Sequence, residues 1–242
     1  MSGGVLMDLF DQLLAATAAD QRRYVLDNPL FALVASGQAT RDQYVVYLRE
    51  TYYLVRHTSR ALARAASHVD DDQRALRAWL VEQANEEHGH EQFCLKDLHG
   101  LGLDATAITS RMPGPGAWGV VTQNYFFAGA GHPEALLGVA SATEGMGAQL
   151  AGDLASVLIR RYGIPERATT FLRSHAGFDQ RHYEQARDAV NRCGTAASLP
   201  WIEHGRRMTF FHYGGLFREV AASTERFFAL RTAHEQPEST HA

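Results

Sequence analysis

Lysine is almost missing from this chain: Lys96 is the sole one among 23 basic residues, so Schiff-base chemistry or a lysine phosphate site has a single candidate. Cysteine is scarce as well. Cys94 and Cys193 cannot build a disulfide framework, and the pair fits a reducing, cytoplasmic setting. No apolar run reaches the length of a membrane span, and the opening Met-Ser-Gly-Gly-Val-Leu-Met-Asp lacks the basic start of a secretory leader. Positive charge is not in excess either. A net charge of −4 and a pI near 6.3 give no electrostatic case for nucleic acid or an anionic membrane. The apolar–polar alternation of half-buried strands is absent throughout.

What is present is helical periodicity over 242 residues with 45% hydrophobic content, enough for one large core. The expectation is an all-α single-domain bundle of about seven helices over residues 1–231, with a polar tail at 232–242. The first long helix spans Val5 to Asn28 and ends where Asn28 precedes proline. Pro29 opens a short helix through Ala35, closed by Gly37. Thr40 caps a second long helix, Arg41 to His68, and Asp70 to Asp72 cap a third running to about Leu98. A loop at 103–116 contains Pro113-Gly114-Pro115-Gly116. Four further stretches follow: Trp118 to Gly129, Pro133 to Tyr162, Glu166 to about Arg192, and Trp201 to Thr232.

The chemistry sits on these helices. His175, Asp179 and His182 are spaced i, i+4, i+7 and share one helical face, where two imidazoles and a carboxylate suit iron, manganese or zinc. On the third helix Glu87 and His90 are i, i+3 neighbours able to ligate one ion, whereas His88 points nearly opposite to His90. Glu144 lies among small and apolar residues, where a carboxylate is costly to bury unless paired or bound to a cation. Glu50 and His57, i and i+7 on the second helix, either face the same site or hydrogen-bond to Tyr or Arg. Inward Glu residues on some helices, combined with acid and His at i, i+3 or i, i+4 on others, are the recipe for a carboxylate-bridged di-iron centre. A zinc hydrolase wants fewer carboxylates, which favours redox chemistry.

These motifs resemble a known family. His175-x3-Asp179-x2-His182, the upstream Glu144, and Glu87-x2-His90 before Leu95-Lys-Asp97-Leu-x2-Leu-Gly102 resemble the haem-oxygenase-like di-iron oxidases and oxygenases, known as iron-containing redox enzymes. Pro29-Leu-Phe-Ala-Leu-x3-Gly37 and the Tyr-rich helix after it resemble the related thiaminase-like and pyrroloquinoline-quinone-synthesis folds. The resemblance spans roughly residues 28–190. It implies that Glu87, His90, Glu144, His175, Asp179 and His182 are metal ligands, with Glu50 a further candidate and Glu86 or Glu82 substitutes for Glu87. Glu87, Glu144 and Asp179 would take the catalytic roles. It also implies two irons, with an iron–manganese pair as the variant, and O2-dependent N-oxygenation, desaturation or C–C cleavage of a small amine- or carboxylate-bearing metabolite. The partners are then that substrate and O2, with an external reductant and a second copy of the chain as further candidates.

Other chemistries on the same fold place different demands. A thiaminase-like hydrolase needs a cysteine nucleophile beside an acid, and neither Cys94 nor Cys193 has a fitting partner by spacing. A cofactor-free quinone-forming oxidase would not need the carboxylates. Haem oxygenase proper needs an early proximal His, and the first 56 residues contain none. A self-sacrificing aminobenzoate-forming type relies on a core lysine, and Lys96 falls outside the ligand stripe. A non-enzymatic metal-binding protein predicts exposed residues and no pocket. For substrate contacts, Tyr52, Tyr53 and Tyr125 to Phe127 are candidate pocket walls, and Arg56, Arg60 and Arg181 candidate carboxylate clamps.

Overall fold

A computed structural model describes residues 7–228, together with the backbone but not the side chains of 178–180. Val5, Leu6 and the 232–242 tail of the sequence reading lie outside the described residues. Within them every regular element is helical.

Local chemistry sets the early boundaries. Helix α1 (Leu9–Gln21) starts where the Asp8 side chain accepts from the Asp11 amide, and it runs on as a π-helical turn, Arg22–Leu26. Asn28 accepts from the Leu30 amide and opens α2 (Pro29–Ser36), with proline in its first turn and Gly37 left-handed after it. Helix α3 (Arg41–Ala66) begins with a capping box: Thr40 accepts from the Gln43 amide while the Gln43 side chain accepts from Thr40.

The bundle then departs from the seven expected helices; among the described residues there are eleven α-helical segments, or ten if the kinked α8–α9 pair is one. The third expected helix is two, α4 (Arg74–Glu86) and α5 (Glu91–Gly100), parted at Gly89, whose φ of 89° is left-handed. The expected loop at 103–116 holds a short α6 (Ala105–Thr109), capped by Asp104. After α7 (Pro115–Gly129), the expected Pro133–Tyr162 helix is α8 (Ala135–Met146) and α9 (Gly152–Tyr162), joined by a π turn at Gly147–Ala151. Last come α10 (Thr170–Cys193) and α11 (Leu199–Ala222). The final helix ends well before Thr232, and an extended strap follows. In that strap Glu225 takes both Arg49 guanidinium nitrogens at 2.9 Å, and the Phe227 amide donates to Asp42 at 2.6 Å.

Helices α3, α7, α8, α10 and α11 form the body of the bundle around two apolar clusters. Helices α8 and α11 touch at backbone distance because glycines face each other's carbonyls: a methyl on Gly138 would fall 1.9 Å from the Ile202 oxygen, and one on Gly205 2.2 Å from the Ala135 oxygen. Nearby, buried Arg206 donates to Thr17 on α1 and Ser141 on α8, and burial lowers its pKa to about 10, so it stays charged at neutral pH. Gly138→Ala is therefore expected to cost about 3 kcal/mol, since two backbones must part rather than one side chain turn. Urea denaturation measures it; a loss below about 1 kcal/mol would mean the crossing relaxes freely.

Candidate metal centre

The break at Gly89 builds half of the site. Because α4 stops at Glu86 and α5 begins at Glu91, the intervening turn aims Glu87 and His90 inward together, with His90 Nδ1 3.3 Å from Glu87 Oε2. His88 stays exposed. Helix α10 supplies His175 and His182 seven residues apart on one face. His175 Nδ1 lies 2.7 Å from the Phe171 carbonyl oxygen; a carbonyl only accepts, so Nδ1 carries the proton and Nε2 keeps its lone pair. The His175 and His90 rings meet edge to face, 5.4 Å between centroids.

Helix α8 supplies Glu144 in its last turn, just before the π turn. Such turns widen a helix and recur at functional sites. Glu144 Oε2 is 3.4 Å from His182 Nδ1, and the other nitrogen, Nε2, is 3.9 Å from Glu86 Oε2. Gln83 holds Glu86 through a 2.9 Å hydrogen bond. One ligand atom each from Glu87, Glu144 and His182 lies within 4.8 Å of the others.

The expected ligands thus fall into three groups. Glu87, His90, Glu144, His175 and His182 come together from α8, α10 and the α4–α5 turn. Asp179 belongs to α10, but its side chain lies outside the described residues. Glu50 is elsewhere. It is buried, its Oε1 accepts from Arg49 at 2.9 Å, and its Oε2 accepts from the Gly114 amide at 2.7 Å. Glu219 accepts from the Gly116 amide beside it, so these two acids anchor the start of α7. His57 also has another task, with Nδ1 3.0 Å from the Tyr125 hydroxyl.

Electrostatics follow from this crowding. Burial pushes Glu87 up, but His90, His175 and His182 outweigh it and hold the carboxyl below its usual range. Burial wins at Glu144, which is raised, with the Glu87 charge adding to the effect and His182 opposing it. His90 is raised by Glu87, and His182 by Glu144. His175 is lowered by burial, which keeps it neutral.

A cavity of about 160 Å³ opens from the cluster, with Glu87, Glu144 and His175 in its wall. Most of the remaining lining is apolar, from Leu30, Leu54, Val139, Leu150 and Phe217 among others. Of the aromatics singled out in the sequence, none lines it: Tyr53 donates to the Thr109 carbonyl, and Phe127 lies in the second apolar cluster. Tyr47, Phe171 and Tyr213 line it instead. Tyr213 escaped the sequence reading. Its one hint is a place among the aromatic residues of α11. Burial, with Tyr47, Glu144 and Glu87 nearby, pushes its phenol far above the ordinary value. The three candidate clamp arginines are not in the lining either: Arg56 covers the Tyr52 ring and Arg181 reaches His182 at 3.3 Å.

The donor set fits a transition metal. His90 Nδ1 is buried and meets Glu87 Oε2 at 3.3 Å outside hydrogen-bond geometry, leaving the nitrogen unsatisfied beside an acid. Imidazoles with carboxylates match the preference of iron, manganese or zinc.

A helical bundle that gathers acids and imidazoles beside an apolar cavity is the setting of a candidate metal centre. Residues 45–209 match the family described as iron-containing redox enzymes, and the chain belongs to that family. Among solved structures, it is similar to a domain of unknown function with a heme oxygenase-like fold from Shewanella denitrificans OS217. The identity is 19% and the TM-score 0.80, over 90% of this chain and 93% of that one. A TenA homologue from P. horikoshii OT3 aligns at 15% identity and TM-score 0.72, covering 88% and 98%. A CADD-like protein of unknown function from Nostoc punctiforme PCC 73102 aligns at 17% and 0.68, covering 88% and 95%. At such identities the likeness establishes a haem-oxygenase-like fold. No curated protein sequence matches the chain.

Proposed function

We propose that this chain is an O2-dependent non-haem di-iron oxidase or oxygenase of a small metabolite. The observation that carries the reading is the gathering of two carboxylates and three imidazoles, half-buried or buried, from three separate segments, with Glu87, Glu144 and His175 in the wall of one largely apolar cavity. The donors also form linked pairs. Glu87 pairs with His90, whose ring meets His175, and Glu144 pairs with His182 beside Glu86, while one ligand atom each of Glu87, Glu144 and His182 lies within 4.8 Å of the others. Two divalent ions would be held by these residues with Asp179, and the acids would offset their charge.

Iron bound there supplies one-electron and oxygen chemistry, which protein side chains lack. The chain's own residues do the rest. The apolar wall keeps water from the reacting atoms. The Phe171 carbonyl fixes the His175 tautomer so that Nε2 can donate its lone pair. The Glu144–His182 pair holds a proton at His182 Nδ1, where Glu144 favours the charged imidazole. Tyr213, beside the acids, orients the substrate from the cavity wall.

A cysteine mechanism finds little support: Cys94 is fully buried, its thiol is raised by burial and by Asp97, and it is not in the cavity lining. Loading the purified chain with Fe(II) without air, then measuring bound iron after desalting, is expected to give about two irons per chain, as in the di-iron helical proteins. His175→Ala should retain one or none. Absence of stoichiometric iron in the unaltered protein would end the reading.

A further inference from the structure

Helix α7 has the surface of a helix that expects a partner. Its 15 residues include no Asp, Glu, Lys or Arg, yet Trp118 and Phe126 are 52% and 57% exposed, and Thr122 between them is exposed too. The three are spaced i, i+4, i+8 and share a face. Helix α11 runs antiparallel beside it. Gly116 packs on Leu216, a methyl on Gly119 would fall 2.1 Å from His212 Nδ1, and Gln123 donates to Thr209 at 2.9 Å. That register turns Met208, Phe211 and Gly215 to the same side as the α7 face, with Phe211 43% exposed. Between His204 and Arg218 this α11 stripe is uncharged as well.

Exposed aromatics and Met without charge are the composition of an interface core. Two helices about 9 Å apart over about 21 Å present roughly 400 Å², about half of what each partner of a standard-size interface buries, and a rim supplies the rest.

The face also fits itself. At about 1.5 Å per residue, Phe126 lies about 10 Å to one side of the Gly119–His212 level, and Gly215 about 4 Å to the other side on the opposite helix. Gly215 leaves a hollow there, since a methyl would meet only the Gly116 Cα, at 3.6 Å. A twofold axis through the middle of the face seats Phe126 of each copy in the Gly215 hollow of the other. The same axis lays Phe211 over Thr122, sets Met208 beside Trp118, and brings Arg218 to the last turn of the second copy's α7, whose carbonyls carry partial negative charge.

We propose that this chain forms an isologous dimer through the α7–α11 face, with Phe126 entering the Gly215 hollow of the second copy. The inner sides of the same helices line the cavity through Val120, Asn124, Tyr213 and Phe217, so the contact also steadies the cavity wall.

Sedimentation of the full, metal-free chain is expected to give about twice the 26.8 kDa of one copy. Phe126→Glu and Gly215→Lys should each weaken self-association at least about 30-fold with helical content unchanged. An equimolar mixture of the two restores the dimer, because one contact then sets the introduced acid against the introduced amine and the other is unaltered. Phe211→Glu with Thr122→Lys is the second such pair, should a chain of the first fail to fold. Val81→Glu, at an exposed apolar residue of α4, should leave the dimer intact. A single-chain mass in the unaltered protein overturns the proposal. So does a dimer that survives the folded variants, a mixture that stays monomeric, or equal loss with Val81→Glu.

Discussion

Glu144→Gln is expected to fold normally without metal and to lose most of the stabilisation that iron gives the unaltered chain. The amide keeps the volume of the carboxyl and can still hydrogen-bond His182, so metal-free stability should stay within about 1 kcal/mol. Ligation suffers far more, because a neutral amide oxygen replaces an anionic donor at the closest approach of Glu87, Glu144 and His182. Changing residues that only support ligands already costs about 10- to 100-fold in metal affinity, so the ligand itself should cost at least about 100-fold. At fixed iron this removes about 2.7 kcal/mol of ligand stabilisation. For a chain of this length that is a Tm lower by about 5–10 °C with iron present and unchanged without it. Calorimetric scans with and without Fe(II) read the difference directly. Equal iron-dependent shifts in the two proteins would remove Glu144 from the ligand set.

The same cluster fixes the direction of the pH dependence. In the metal-free chain burial raises Glu144, Glu144 raises His182, and Glu87 raises His90. A group raised on folding contributes stability that is complete below its unfolded value and lost as pH climbs through the folded one. Metal-free stability should therefore fall as pH rises from acidic values through the carboxylate range for Glu144, and past neutrality for the two histidines. Glu87 and His175 are lowered and oppose this: Glu87's contribution is lost as pH falls through its folded value, and keeping His175 uncharged costs stability as pH falls through its unfolded value. Metal binding needs ionised acids and neutral imidazoles, so the stabilisation by iron should grow over the same interval in which the metal-free chain weakens.

Much of this was legible in the residues. The all-helical pattern, the cap at Thr40 and the short helix opened by Pro29 and closed by Gly37 are short-range signals, whereas the helix capped by Asp104 arose in a stretch read as loop. The break at Gly89 was not, because one glycine costs a helix only about 1 kcal/mol and the apolar period resumes beyond it. The π turn after Glu144 has no marker in sequence at all. Glu50 and Glu144 illustrate the deeper limit. Each is an acid amid apolar helix residues, but Glu50 is taken by its neighbour Arg49 and by the backbone of Gly114, 64 positions away, while Glu144 meets His182. Periodicity tells which face a side chain takes, not which distant group waits there.

Asp97 was visible as part of a motif, yet its task belongs to the tertiary structure, and Asp97→Ala should unseat the helix that carries two of the histidines. Asp97 is fully buried on α5. Its Oδ1 accepts from the Thr170 amide at 2.7 Å and from the Thr170 hydroxyl, and its Oδ2 from the Phe171 amide at 2.9 Å. One carboxylate thus caps α10 from another helix, with its charge at the positive end of the helix dipole. Removing it leaves buried donors without partners, at about 1–3 kcal/mol each, for a total near 3–5 kcal/mol. The effect reaches the metal because the Phe171 carbonyl that fixes His175 is in the turn Asp97 holds, and His182 lies two turns further along. Iron affinity should fall about 10- to 100-fold although Asp97 is no ligand, as expected for a supporting residue. Asp97→Asn retains one acceptor oxygen and should recover part of both losses, which a defect confined to packing volume would not show. Urea denaturation and iron titration of the two variants test this together. Should Asp97→Ala keep its stability within about 1 kcal/mol and its iron affinity unchanged, α10 would have to be seated by its apolar face alone.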